Sequence, residues 1–239
     1  MNIALIGYGK MGHAIEQVAM QRGHNIVLRI TSANRQELDA IHLQAVDVAI
    51  EFTSPEAARN NVLECLSAGV SVISGTTGWN DGIPEAEAMA KKQKSAFLHA
   101  SNFSIGVNIF FEVNKLLASL MDGRKEYNIT IEETHHTEKK DAPSGTAITL
   151  AEQILQNLEG KRNWILNNLD EPGSIPIISH RMEHVPGTHK VTYSSSIDDI
   201  EITHTAHNRD GFALGAVLAA EYIKGRQGVF SMKDVLGIK

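Results

Sequence analysis

Asn2 to Gly12 reads NIALIGYGKMG. Asn2 to Ile6 is a short apolar run of strand length, and Ile15, Val18 and Ala19 follow it at helical spacing. Between strand and helix stands Gly7-x-Gly9-x-x-Gly12. In such a turn the first glycine permits the sharp bend. The second lets a pyrophosphate approach the backbone, and the third lets the helix lie close to the strand. The context predicts a dinucleotide-binding βαβ unit, with Tyr8, Lys10 and Met11 in the same loop. A glycine-rich turn without a ligand is the plainer alternative.

Working outward, Asn25 to Ile30 (NIVLRI) is the second strand. An acidic side chain for a ribose 2′-hydroxyl is expected about 20 residues past the glycines. The chain has Thr31-Ser32-Ala33-Asn34-Arg35 there, with no acid. Thr31, Ser32 and Arg35 could instead receive a 2′-phosphate; a solvated turn is the other reading. Val46 to Phe52 is a third strand, and Ser54-Pro55 starts a helix through Ser67. Val70 to Ser74 is a fourth strand, ending in Gly75-Thr76-Thr77-Gly78. A helix over Pro84 to Gln93 and a strand over Ala96 to His99 follow. Strands and helices alternating in this way predict a parallel, right-handed doubly wound sheet. Ligands of such sheets bind at the carboxyl ends of the strands.

After Ala100-Ser101-Asn102-Phe103-Ser104 the pattern changes. Ile109, Val113, Leu116, Leu117 and Leu120 mark an amphipathic helix. Ile175 to Met182, His189 to Ser196 and Asp199 to His207 alternate with period two and have no helices between them. That predicts a smaller α+β domain with a mixed or antiparallel sheet. Residues 158–173 are polar and carry no clear element signal. Gly211 to Ile223 (GFALGAVLAAEYI) is apolar nearly all round and should return to the first domain, with Gly225 to Lys239 as a tail on it. The expected division is 1–103 with 211–239, and 104–210.

Glu132 to Thr146 (EETHHTEKKDAPSGT) holds the densest set of titratable side chains. A strand over Tyr127 to Glu133, with Ile129 and Ile131 on one side, leads into it. A helix through Ala147, Ala151, Ile154, Leu155 and Leu158 leads out. Pro143 holds Ala142 extended, Ser144 is the N-cap, and Gly145 leaves backbone N–H groups uncovered. A helix start of this kind seats an anion, and a histidine beside it can move a proton near neutral pH. A capped loop with solvated histidines is the plainer reading. His135, His136, Lys139 and the amides of Ser144, Gly145 and Thr146 point to a small anionic molecule.

His135-His136-x-x-Lys139-x-Asp141-Ala142-Pro143-Ser144-Gly145-Thr146-Ala147, preceded by Glu133, resembles the signature of the dihydrodipicolinate reductase family. The resemblance extends through GYGKMG, Glu51-Phe52-Thr53, GTTG at Gly75, ASNFSIGVN at Ala100, Arg181 with Gly187-x-His189, and HTAHNRDGFALGA at His204. It implies a first domain that binds NADPH or NADH and a second that binds substrate and builds a homotetramer. The implied reaction is reduction of 4-hydroxy-tetrahydrodipicolinate to tetrahydrodipicolinate, on the route to diaminopimelate and lysine. The resemblance makes His135 the acid that protonates the enamine carbon. It makes Lys139 a second donor or carboxylate partner, and His136, Gly145 and Thr146 substrate contacts. Phe52, Thr53, Gly75, Thr76, Thr77 and Ala100 to Phe103 fall on the cofactor side, and Arg209 at a hinge. The sequence departs from the commoner pattern in a glycine loop one residue shorter, the missing ribose acid and a brief link between the second and third strands. With Thr31, Ser32 and Arg35 in place of the acid, NADPH is the expected cofactor and NADH a possible one.

Composition narrows the field. The 239 residues are 42% hydrophobic and carry a net charge of −6, which gives nucleic-acid binding no electrostatic support. Cys65, the single cysteine, sits in an apolar helical run and reads as core; it suits a reducing, cytoplasmic setting. No run reaches the length of a membrane helix, and no leader is visible ahead of the first strand. Three rival readings stand beside the reductase. Another dehydrogenase would keep GYGKMG without needing HHxxKxDAPSGT. A dinucleotide sensor would bind cofactor without turnover. A metal hydrolase would use some of the 11 histidines, but neither His135-His136 nor His180/His184 has a third partner at metal spacing.

Overall fold

The computed structural model describes residues 1–169, 171–208 and 210–238. In chain order it runs β1 (Asn2–Ile6), α1 (Lys10–Gln21), β2 (Asn25–Ile30), β3 (Val48–Glu51), α2 (Pro55–Ser67), β4 (Ser71–Ser74), α3 (Ile83–Gln93) and β5 (Ala96–His99). Next come α4 (Ile105–Met121), β6 (Asn128–His135), α5 (Gly145–Asn157), β7 (Asn163–Leu166), β8 (Ser174–Arg181), β9 (Gly187–Ser194) and β10 (Asp199–Ala206). The chain ends with α6 (Asp210–Ile223), β11 (Gly228–Phe230) and α7 (Met232–Leu236). Two compact units result: Met1–Ile105 with Asp210–Lys239, and Gly106–Arg209.

The first unit is a parallel sheet in the order β11-β5-β4-β3-β1-β2. Both faces are covered, so its inner strands β3 and β4 are buried at every position rather than at alternate ones. Period two still decides which face each side chain serves. Ile3 and Leu5 join Val48, Ile50 and Leu98 in a core closed by Ile15 of α1 and Ala216, Val217 and Ile223 of α6. Ala4 and Ile6 join Ala49, Val72 and Phe97 in the opposite core, closed by Val62 and Cys65 of α2 and Ala90 of α3. Burying one such branched side chain is worth about 1.5–3 kcal/mol, and the two layers hold the sheet's carboxyl ends in place. Gly215 explains how α6 lies so close: a Cβ there would fall 1.7 Å from the Phe103 carbonyl oxygen. The thiol of Cys65 is buried and unpaired, and burial pushes its pKa up. At the start of α2, Ser54 occupies the N-cap position but its side chain makes no capping hydrogen bond.

The second unit is a mixed sheet in the order β10-β9-β6-β8-β7. β6 is central, antiparallel to β9 and parallel to β8. Ile129 and Ile131 of β6, Val191 and Tyr193 of β9, and Ile175 and Ile177 of β8 form one core with α4 and α5.

Three local expectations are corrected. β6 runs on through His135, so His135 ends a strand and is 8% exposed rather than lying in a surface loop. On α4 the stripe Ile109, Val113, Leu116 and Leu120 is exposed, while Phe110, Asn114, Ala118 and Met121 are buried. This helix is apolar on more than one face, so periodicity alone could not choose the inner one. Residues 158–173 contain β7, and the tail contains β11, which pairs with β5. No helix among the described residues is long and apolar enough to cross a membrane.

Candidate active site

The opening glycines divide the work as their spacing requires. Gly7 has φ +93°, and a Cβ on it would fall 1.9 Å from the Phe52 carbonyl oxygen; a Cβ on Gly12 would fall 2.5 Å from the Gly7 oxygen. Gly9 has nothing within 4 Å of that position. Two glycines are therefore packed solid and the middle one faces open space. α1 starts there with no side-chain cap and no acid in its first turn, which leaves its first N–H groups to a phosphate. A cavity of about 800 Å³ lies on one side of the loop, lined by Gly7, Gly9, Thr31, Ser32, Arg35 and Thr53 among others, with no acidic residue among them. Another, of about 310 Å³, is lined by Gly9 to Gly12, Phe52, Thr53, Pro55 and Gly75 to Thr77. These residues fit a dinucleotide.

The floor of that second cavity rests on Glu51, a wholly buried carboxylate at the end of β3. It accepts from Ser74 Oγ at 2.5 Å, Thr76 Oγ1 at 2.7 Å and the Thr53 N–H at 3.0 Å, and also from Thr53 Oγ1. A buried carboxylate is costly without such donors. In return it fixes Thr53 and Thr76 at the cavity wall.

In the second unit, the alternation that turns Ile129 and Ile131 inward continues to Glu133 and His135. Glu133 is 0% exposed. Its Oε1 accepts from the Ser144 N–H at 3.1 Å, Ser179 Oγ at 2.7 Å and Arg181 Nη2 at 3.2 Å. Its Oε2 stands 3.1 Å from His135 Nδ1 and 3.8 Å from His189 Nε2. Burial pushes this carboxyl up, but the bonds from His135, Ser144 and Ser179 outweigh it and hold the group well below the usual carboxylate range. His189 is paired with Glu133 across the β6–β9 ladder. Its ring lies edge-on to that of His135, centroids 5.0 Å apart, and burial followed by repulsion from His135 pushes its pKa down to about 3. Ser144 caps α5 by accepting from the Ala147 N–H, and its Oγ also lies 3.1 Å from His189 Nε2.

The loop between β6 and α5 is tied down by Arg181. Its guanidinium donates to the carbonyls of Lys139, His180 and Asp141 as well as to Glu133. Lys139 Nζ is held by the Asp141 carboxylate at 2.7 and 2.8 Å. The ligating atoms of Glu133, His135 and His189 lie within 4.8 Å of one another. A cation there would face the Arg181 guanidinium across the same carboxylate, so the cluster suits proton chemistry better than metal binding.

Both halves of the chain match sequence profiles of one family. Residues 1–103 match the profile described as dihydrodipicolinate reductase, N-terminus, and residues 106–236 that described as dihydrodipicolinate reductase, C-terminus. The chain belongs to the dihydrodipicolinate reductase family. A 4-hydroxy-tetrahydrodipicolinate reductase from Christiangramia forsetii is 53% identical over 237 residues, covering 99% of this chain and 98% of the relative. One from Neisseria gonorrhoeae is 34% identical over 230 residues, 93% of this chain and 84% of the relative. Among solved structures, a dipicolinate-bound dihydrodipicolinate reductase from Paenisporosarcina sp. TG-14 superposes with TM-score 0.80 at 21% identity, covering 97% of each chain. An amine dehydrogenase from Mycobacterium smegmatis does so with TM-score 0.62 at 10% identity, covering 97% of this chain and 95% of its own. These last two speak for the fold alone. Membership in the reductase family makes this chain an NAD(P)H-dependent oxidoreductase of 4-hydroxy-tetrahydrodipicolinate, in the diaminopimelate and lysine route.

The reductase residues expected from the sequence fall into place unevenly. Thr31, Ser32 and Arg35 share the larger cavity, with Arg35 Nη2 on Glu64 at 2.9 Å and Thr31 Oγ1 donating to Asn34. Tyr8 lines that cavity too, and its hydroxyl is bonded to Glu16. Lys10 and Met11 line the smaller one. Ala100, Ser101, Asn102 and Phe103 line neither; Phe103 is 2% exposed and belongs to the core, 5.6 Å from Phe52 between ring centroids. In the second unit, Gly145 and Thr146 open α5, and His136 Nδ1 is buried with no hydrogen-bond partner among the described residues. Arg209 lies outside the described residues. Sequence reasoning assigned no role to Glu51, Glu133, Arg181 or His189. The signal for Glu133 was present: two steps of strand alternation beyond Ile129 and Ile131 put a carboxylate and His135 on the buried face.

Proposed function

We propose that His135 is the proton donor in the reduction of 4-hydroxy-tetrahydrodipicolinate, with NADPH as the preferred cofactor. The observation that carries this is the end of β6: a buried imidazole beside a carboxylate, in the same unit as the open start of α5. The substrate's carboxylates are received by the amides of Gly145 and Thr146, by His136, and by Lys139 after it exchanges Asp141 for the ligand. The reaction releases the substrate's 4-hydroxyl as water, and a reduced nicotinamide, when bound, would supply the hydride. The enamine carbon left after hydride addition takes its proton from His135 Nε2, since Nδ1 is turned to Glu133. The residues for the dinucleotide are the glycine loop with Phe52, Thr53 and Gly75 to Thr77, and the acid-free cavity wall at Thr31, Ser32 and Arg35 supports a 2′-phosphate.

The reading extends to a cytoplasmic homotetramer built through the second unit. Cys65, buried and unpaired, agrees with a reducing compartment. The exposed stripe Ile109, Leu116 and Leu120 on α4 agrees with assembly, since monomers rarely leave such faces bare. The test is loss of reduced-nicotinamide absorbance on adding enzymatically generated 4-hydroxy-tetrahydrodipicolinate, for NADPH and NADH in turn, with the mass in solution measured by light scattering. No turnover of either cofactor would refute the reaction, and a monomer the assembly.

A further inference from the structure

We infer that Glu133 positions the proton donor, one buried carboxylate fixing His135 relative to the start of α5. This rests on the reading of His135 as the acid. The division of labour between the two oxygens of Glu133 argues for it. Oε1 alone takes the three donors that knit β6 to β8 and to the α5 start, namely Ser144 N–H, Ser179 Oγ and Arg181 Nη2. A side chain present only to join these elements would need nothing more. Oε2 takes none of them and stands 3.1 Å from His135 Nδ1, an ion-pair distance short of hydrogen-bond alignment, and neither atom has a hydrogen-bond partner among the described residues.

With the carboxylate as the nearest ionic group to Nδ1, Nε2 is left as the nitrogen that exchanges a proton. Space is kept at Nε2 by Gly187, where a Cβ would come within 3.1 Å of it. His189, also 3.8 Å from Oε2, does not compete as a cation, because burial keeps it neutral. Oε1 meanwhile holds the N–H of Ser144, the residue before Gly145 and Thr146. The distance from proton donor to anion seat is thus set through one rigid, fully buried side chain. Preorganisation of this kind acts on the chemical step more than on binding.

The test is a double-mutant cycle on kcat with Glu133→Gln, His135→Gln and the pair together. Cofactor affinity, read by fluorescence titration, and thermal unfolding check that each variant is folded. Glu133→Gln should lower kcat by about 10–100-fold, the usual size of losing a group that orients a functional imidazole. Added to His135→Gln it should cost less than about 3-fold more, because its effect passes through that ring. A purely structural carboxylate would cost the same factor in both backgrounds, and that additivity would overturn the inference, as would wild-type kcat in Glu133→Gln. Glu133→Asp keeps the charge but draws it back by one methylene; it enters the same cycle if the glutamine variant does not fold. Near-wild-type activity of His135→Gln itself would instead remove the reading on which the inference stands.

Discussion

His135 is a buried ring and the proposed proton donor, so its replacement should have two separable effects. His135→Gln should lower kcat by ~10²–10⁴-fold, the range for a lost general acid. It should also lower stability by about 1–3 kcal/mol, since Glu133 loses a partner inside the unit. Steady-state kinetics and thermal unfolding separate the two, and kcat within a few-fold of wild type would exclude His135 as the acid. Lys139 differs, for its ammonium is held by Asp141 near the surface. Lys139→Ala should raise KM as well as lower kcat, while the exposed neighbour Lys140→Ala should change neither much. A larger loss from Lys140→Ala would show that the wrong lysine has been chosen. At this scale the candidate donors were legible in the sequence through their unusual density. The acceptor was hidden, because Glu133 reads as one more polar strand residue until the alternation is carried to His135.

At the scale of elements, the proposed NADPH preference turns on the loop after β2. Arg35 stands in the larger cavity but is engaged with Glu64, each side chain roughly two-fifths exposed. An exposed pair of this kind is worth only about 0.2–1 kcal/mol, less than the ~1.5–3 kcal/mol of a charge-assisted bond to phosphate, so Arg35 can change partners. NADPH should therefore show a lower KM than NADH by about ten- to a hundred-fold, and Arg35→Ala should remove most of the difference. Equal KM values in the wild type, unmoved by the substitution, would count against the phosphate-binding role. Elements with strong local signals were legible: β1, β2 and β5 span the residues that their apolar runs mark out. β7 and β11 were not, being edge strands of four and three residues, too short to set up a period. The inner face of α4 was not either, because the choice between two apolar faces is made by the sheet it packs on.

Over the whole molecule, the buried histidine and glutamate of the second unit make stability depend on pH. In the folded chain His189 is pushed down to about 3, whereas an unfolded histidine titrates near ~6.5. Below ~6.5 the unfolded state binds a proton that the folded state refuses, so stability falls as pH drops toward 3. Glu133, held well below its ordinary range, adds stability above its unfolded pKa that is lost as pH falls through its folded one; the two act in the same direction. From pH 7 to pH 5 the imidazole alone should cost roughly 2 kcal/mol, seen as a lower melting temperature at pH 5. His189→Gln should shrink that drop, and an equal drop in both proteins would assign the acid sensitivity elsewhere. The two-unit plan was visible in the change from alternating βα to consecutive strands, and the return of the chain in the all-round apolar α6. That return, from Ile105 out and back at Asp210, also sets an order of events on the ribosome. The second unit is contiguous and emerges whole, while the first waits for α6 and β11. Until those last residues leave the exit tunnel, Ile3, Leu5, Val48 and Ile50 lack the helix that covers them. A nascent chain paused short of Asp210 thus shows an oily, unfinished sheet to holding chaperones, and the half made first is the half that folds last.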